Sequence, residues 1–351
     1  MAETRPTGAR ARVWVSQPLF DDIVGRLAEY FEVLATDQVT KWSPQQVAAA
    51  LDQVDGALVT LNERIGAGEI ETAHGLRAIA NVGVGYNNLD IPALSARGIV
   101  ATNTPEVLND TTADMAFALL MAAARRITEG ERWLREGHWT QWSFNTLLGV
   151  DVQGSTLGIL GMGRIGQGIA QRAAHGFGMR VLYHNRSRLP ESIESNCRAQ
   201  YVDFATLLEE ADHLVLVLPY SADTHHVIDS AALAKMKSTA TLINIGRGGL
   251  VDEGALADAL AAGKLFAAGL DVFEGEPDIN PKLLALRNVV LTPHVGSASL
   301  STRRAMATLA VDNLIAALGH GPQAGQPATP VNAVDVAAHI AKTGKSITGK
   351  R

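Results

Sequence analysis

The chain has 351 residues, 47% of them hydrophobic, a formal net charge of −6 and a single cysteine, Cys197. That length suggests two domains, and mild acidity with no basic block before the extreme C-terminus argues against wholesale nucleic-acid binding. One cysteine excludes an intramolecular disulfide or a cysteine-rich metal site and fits a reducing cytoplasm; no apolar run reaches the about 18 residues of a membrane helix, and the polar, basic start "MAETRPTGARAR" reads as a tail rather than a secretory signal.

Along the chain, strands alternate with helices. "RVWVSQPL" reads as a strand, "FDDIVGRLAEYF" as an amphipathic helix, and "GALVTL", "LRAIANVGVGY" and "IVATNT" as further strands. Apolar runs of this length between helical segments imply a parallel sheet covered on both faces. A long helix follows over about 110–129, with Asp110 or Thr111 near its cap. A second series then begins: "STLGILG", "MRVLYHN", "HLVLVLP", "ATLINIG", "FAAGLDV" and "NVVLTP" as strands, with helices such as "RIGQGIAQRAAHGFG" and "FATLLEEA" between them. The helix "SLSTRRAMATLAVDNLIAALG" is expected to return to the first series. The predicted fold is therefore α/β, with two doubly wound parallel-sheet domains: a Rossmann cofactor domain (109–294) inserted in a flavodoxin-like substrate domain (13–108 plus 295–332), a cleft between them, and tails at 1–12 and 333–351. The last segment reads as a short helix with a basic end.

In "TLGILGMGRIGQG", Gly161, Gly163 and Gly166 match G-x-G-x-x-G between an apolar strand and a helix. The first glycine permits the tight turn, the second lets backbone approach a pyrophosphate, and the third lets helix and strand pack closely. Ile165, a candidate cofactor contact, lies in the first turn of the helix whose N-terminus supplies free N–H groups. Arg164 either adds charge at the pyrophosphate or is a solvated surface arginine.

Such sites usually carry an acid at the end of the second strand, where it holds a ribose 2′-hydroxyl. Here that strand ends in Asn185, Arg186, Ser187 and Arg188. No acid repels a 2′-phosphate, serine can donate to one, and the arginine fork suits it. The pattern predicts NADP(H) as the preferred cofactor and leaves NAD(H) open as a tolerated second. Arg186 is the stronger candidate because Arg188 lies further out.

Three stretches then place polar groups just past strand ends, where ligands of open α/β sheets sit: Arg247 in "LINIGRGGLVDE", Asp271 and Glu276 in "GLDVFEGEP", and His294 in "VVLTPHVGSAS". Together with "NVGVGYNNLD", "TADMAFALLMAAARR", "LGILGMGRIGQGIA" and "LPYSADTHHVI", these segments resemble, in order and over about 13–332, the D-isomer-specific 2-hydroxyacid dehydrogenase family. Within it the chain looks most like the NADP-preferring glyoxylate and hydroxypyruvate reductases. The resemblance implies that His294 is the acid–base group, a role suited to histidine near neutral pH. Glu276 would orient His294 and favour its protonated form. Arg247 would bind the carboxylate of a small 2-oxo acid and polarise its carbonyl, and the N–H groups of Val84 and Gly85 would hold that carboxylate from the other domain.

Further cofactor contacts follow by position: Thr112, Leu218, Pro219, Thr224, Ile245, Asp271, Gly296 and Ser297, with Asp271 open also to orienting Arg247 or to a structural role. "HWTQW" resembles a segment that reaches a neighbouring subunit, so Trp142 either lines a partner's substrate pocket or packs a homodimer formed through the cofactor domain. His225 and His226 read as structural, and the absence of compact ligand spacing along the chain predicts no metal. The expected activity is NADPH-dependent reduction of glyoxylate or hydroxypyruvate to glycolate or D-glycerate. A reductase of bulkier 2-oxo acids and a non-catalytic nucleotide-sensing protein of the same fold are the alternatives. Glu276 argues against a formate dehydrogenase, which by family likeness carries glutamine there.

Overall fold

A computed structural model describes residues 10–343. Residues 1–9 and 344–351, which hold the start of the first expected tail and the basic end of the second, lie outside the described residues. The chain divides into two compact units, one up to Leu108 together with Ser299 onward and the other Asn109–Ala298.

The first unit is built on a five-stranded sheet: β1 (Arg12–Val15), β2 (Glu32–Ala35), β3 (Gly56–Val59), β4 (Ala78–Asn81) and β5 (Val100–Thr102). Its order is β2-β1-β3-β4-β5, every pair parallel. On one face Trp14, Ala57, Val59 and Ile79 pack with Val47, Leu51, Ile70 and Leu94 from the connecting helices. The other face is covered by the helix Leu300–Ala317, which packs on β3 and β4 and is capped by Ser299. Gly56 sits beneath it, where a side chain would press on Leu314 and Leu318. The segment from 333 is not a loose tail over the described residues: Ala333–Thr343 is a helix packed against Ile91–Ala96, with Val336 buried. Asn332 secures it by accepting from the Ala101 N–H and donating to the Ile99 carbonyl.

The second unit carries β6 (Thr156–Leu160), β7 (Arg180–His184), β8 (Ala199–Tyr201), β9 (His213–Leu216), β10 (Thr241–Asn244), β11 (Ala267–Leu270) and β12 (Val289–Leu291). The order is β12-β11-β10-β9-β6-β7-β8, all parallel. Alternate residues feed opposite faces: Leu160, Leu182, Leu214 and Leu242 enter one core, while Ile159, Val181, Val215 and Ile243 enter the other. This explains the continuous apolar strands of the sequence. The helix expected over 110–129 is two helices, Asn109–Ala124 and Ile127–Arg135. The break falls at Arg126, whose backbone is left-handed (φ 53°) and whose guanidinium pairs with Glu129. No described helix is long and apolar enough to cross a membrane.

Candidate active site

Strand order reverses at β6 in the second unit, with β7 on one side and β9 on the other. In open parallel sheets the crevice outside the carboxyl ends at such a switch point is the ligand site. The loops after β6, β7, β9, β10, β11 and β12 contain nearly all the residues singled out in the sequence.

The glycines after β6 divide the expected labour between them. Gly161 has φ +100°, and a Cβ there would lie 2.7 Å from the Leu218 nitrogen. A Cβ on Gly166 would lie 2.7 Å from the Gly161 carbonyl oxygen, so helix and strand meet backbone to backbone. Gly163, by contrast, caps the helix Arg164–Gln171 and faces open space within 4 Å. Space there, and only there among the three, fits a pyrophosphate resting on the first helical N–H groups. Arg164 is exposed on the first helical turn, and Ile165 is partly buried against the core.

At the adenosine end, Asn185 ties the two loops together: its Oδ1 accepts the Met162 N–H at 2.7 Å. Arg186 and Ser187 are exposed, and among the described residues Arg186 has no ion-pair partner. Arg188 differs from the expectation of a phosphate ligand. Its guanidinium forks onto Glu194, Nε to Oε1 at 2.9 Å and Nη2 to Oε2 at 2.7 Å. Glu194, 7% exposed, was not singled out in the sequence, because an acid in an amphipathic helix gives no sign of being buried.

The chemical groups assemble from three strand ends. His294 Nδ1 and Glu276 Oε2 lie 2.8 Å apart, and Glu276 Oε1 accepts the Phe273 N–H at 2.8 Å. Burial disfavours the Glu276 carboxylate, but His294, the Phe273 N–H and Arg247 outweigh it and hold its pKa below the ordinary carboxyl value. Arg247 begins the turn Gly248–Leu250 after β10. Burial draws its guanidinium below the ordinary value, opposed by the charge of Glu276. The two loops touch through Gly248, where a Cβ would fall 1.8 Å from the Phe273 carbonyl carbon. Any side chain at that position would drive the Arg247 turn away from the Glu276 loop. Glu253, a second acid missed in the sequence, accepts the Glu274 N–H at 2.7 Å and steadies the same loop.

His294 has a left-handed backbone (φ 52°), unusual for a side chain of its size. Its loop is over-determined by Asp271, 2% exposed, whose carboxylate accepts from Thr292 Oγ1 (2.6 Å), Val295 N (2.8 Å) and Gly296 N (2.7 Å). Asp271 therefore holds the histidine loop. Gly296 is buried between Asp271 and Thr112, and Ser297 is partly buried beside it.

Other expected residues fall as follows. Thr112 is buried in the first turn of its helix. Leu218 lies against Gly161, and Pro219 is exposed after it. Thr224 shapes that loop, its hydroxyl accepting the Ser221 N–H at 2.7 Å. The Ile245 side chain, just past β10, packs with the core. Val84 and Gly85 belong to the first unit, where Asn103 and Asn81 donate to their carbonyls at 2.8 and 2.9 Å. Trp142 is 75% exposed and meets the Phe144 ring edge-on. The fold also gathers a compact trio that chain spacing hides. His225, His226 and Glu274 lie with ligand atoms within 4.8 Å of one another, His226 paired to Glu274 at 3.0 Å and His225 to the Tyr220 hydroxyl at 3.1 Å.

Residues 117–296 match the sequence pattern of the D-isomer specific 2-hydroxyacid dehydrogenase, NAD binding domain. The chain is 44% identical over 311 residues to a glyoxylate reductase of Pyrococcus horikoshii, covering 88% of this chain and 92% of that protein. It is 47% identical over 299 residues to glyoxylate/hydroxypyruvate reductase B of Klebsiella pneumoniae, covering 85% and 92%. Among solved structures it is similar to the NADPH-dependent glyoxylate/hydroxypyruvate reductase of Sinorhizobium meliloti in complex with NADP and malonate. That likeness has a TM-score of 0.81 and 36% identity, over 93% of this chain and 98% of that one.

Proposed function

Because the chain belongs to the D-isomer specific 2-hydroxyacid dehydrogenase family, we propose that it reduces a small 2-oxo acid, glyoxylate or hydroxypyruvate, to the corresponding 2-hydroxy acid with NADPH. The observation that carries the proposal is the contact between His294 and Glu276 on loops packed against the turn that presents Arg247. The names of the relatives and the acid-free loop Asn185–Arg188 support the choice of substrate and cofactor.

The glycine loop would hold the cofactor's pyrophosphate, and Arg186 with Ser187 its 2′-phosphate; when bound, the nicotinamide supplies a hydride to the carbonyl carbon. Arg247 binds the substrate carboxylate and draws electron density toward the carbonyl oxygen. Protonated His294 donates from Nε2 to that oxygen as it gains charge, while Nδ1 stays on Glu276, which balances the imidazolium before transfer. The product carries one added hydride and one added proton, and His294 is reprotonated from water. The exposed Trp139, Trp142, Phe144 and Leu148 of the second unit support a homodimer that covers them.

The deciding experiment is steady-state assay of the purified protein with glyoxylate, hydroxypyruvate, pyruvate and phosphohydroxypyruvate, each with NADPH and NADH. Turnover of one of the first two, faster with NADPH, is expected. Oxidation of neither cofactor with any of the four would overturn the reading. Sedimentation of the same sample tests the dimer.

A further inference from the structure

Three donors converge on Glu194, at the adenosine end of the site. Tyr183 Oη donates to Oε1 at 2.6 Å, and Arg188 adds its fork to both oxygens. Tyr183 is fully buried on β7, and its hydroxyl oxygen accepts the Leu189 N–H at 2.8 Å. The three residues thus close a ring through the end of β7, the loop Asn185–Leu189 and the helix Glu191–Cys197. Arg188 and Tyr183 hold the Glu194 carboxyl down at about 2, and burial followed by Glu194 pushes the Tyr183 hydroxyl up to about 12. At neutral pH the acid is ionised, the phenol is intact and the arginine is its counter-ion. Glu191 adds a second negative charge near Arg188, and Arg198 lines the same hollow.

We infer that Arg188 serves as the counter-ion of Glu194 rather than as a ligand of the cofactor's 2′-phosphate, neutralising a carboxylate that would otherwise repel the phosphate recognised by Arg186 and Ser187. If Arg188, whose own side chain is largely exposed, swung to a phosphate, the Glu194 carboxylate, its side chain 8% exposed, would lose its cation beside another anion. The bidentate geometry also fixes the arginine in one orientation. The inference rests on the NADPH reading given above.

The test compares NADPH and NADH dissociation constants, KM and kcat for full-length wild type, R188M, E194Q and R188M/E194Q. R188M exposes the Glu194 charge and is expected to lower the preference for NADPH about tenfold. R188M/E194Q removes that charge while leaving an amide oxygen for Tyr183. It is expected to recover the preference to within about threefold of wild type. E194Q alone keeps or strengthens the preference, and serves as the second variant if R188M folds poorly. A double variant as weak as R188M would make Arg188 a ligand and overturn the inference, as would an unchanged R188M or a preference lost in E194Q. R186A separates this from the underlying reading. Equal loss with both nucleotides defeats the NADPH reading itself, whereas a selective loss with NADPH combined with an unrestored double variant defeats only the counter-ion role.

Discussion

His294 and Glu276 meet at 2.8 Å although eighteen positions separate them, and each is held by backbone on its other side: Phe273 for the glutamate, Asp271 and its loop for the histidine. The pair is thus fixed by the ends of β11 and β12 rather than by flexible side chains reaching for one another. Replacing His294 with alanine is expected to lower kcat by about 10²–10⁴-fold with little change in cofactor affinity. Stopped-flow hydride transfer with a saturating 2-oxo acid checks this, and near-normal turnover would remove His294 from the reaction.

Glu276 stays ionised below the ordinary carboxyl range, so through the neutral region it stabilises a positive partner. In E276Q that support is lost. Reduction requires a protonated donor, so kcat is expected to fall about 10²-fold while NADPH affinity stays near wild type. A kcat near wild type would mean that Glu276 merely holds the loop.

The three loop glycines should fail in different ways. Gly166 and Gly161 are closed in by protein, so G166A is expected to lower the melting temperature by pushing the helix off β6. Gly163 has room on its own, so G163A should melt near wild type yet bind NADPH and NADH about tenfold or more weakly, by crowding the pyrophosphate. Calorimetric binding and melting of both variants check the contrast.

Arg186 should divide the two cofactors. R186A is expected to raise the NADPH KM about tenfold or more while leaving NADH use nearly unchanged, because only one cofactor carries the 2′-phosphate. Paired titrations at one ionic strength are needed, since screening weakens the exposed arginine's contribution.

Glu194 makes a prediction about acid stability. Its folded value, about 2, lies below the ordinary 4.5. The stabilisation it confers is complete above about 4.5 and is lost as pH falls toward about 2. Melting temperatures of wild type should drop through that window, and E194Q should show a shallower drop there. Parallel curves for the two proteins would mean that the ion pair contributes nothing to folding.

How much of this was legible in the sequence depended on burial. Strands covered on both faces announce themselves as apolar runs, and the central strands of both sheets read clearly. The two strands that did not, β2 and β8, are the outer strands of their sheets, half-exposed and three or four residues long. The segment before β2 read as one amphipathic helix, but it is a single helical turn followed by a 3₁₀ stretch, Gly25–Glu29. Site residues with chemistry of their own were readable, because Arg247, Glu276 and His294 each follow a strand end. The residues that brace the loops were not: Glu253 accepts the Glu274 N–H, Glu194 holds Tyr183 and Arg188, and Asn103 holds the Val84 carbonyl, and no local pattern reveals which acid or amide will be buried.

The helix Leu300–Ala317 has a consequence for synthesis. It covers β3 and β4, and Leu314 and Leu318 fill the space above Gly56. The first sheet therefore emerges from the ribosome with one apolar face bare, and its cover follows only after the whole second unit has been made. At ~5–20 residues per second that delay is roughly ten to forty seconds. The nascent chain must keep its oldest part from aggregating while its middle part folds, and the last long helix then closes the first unit.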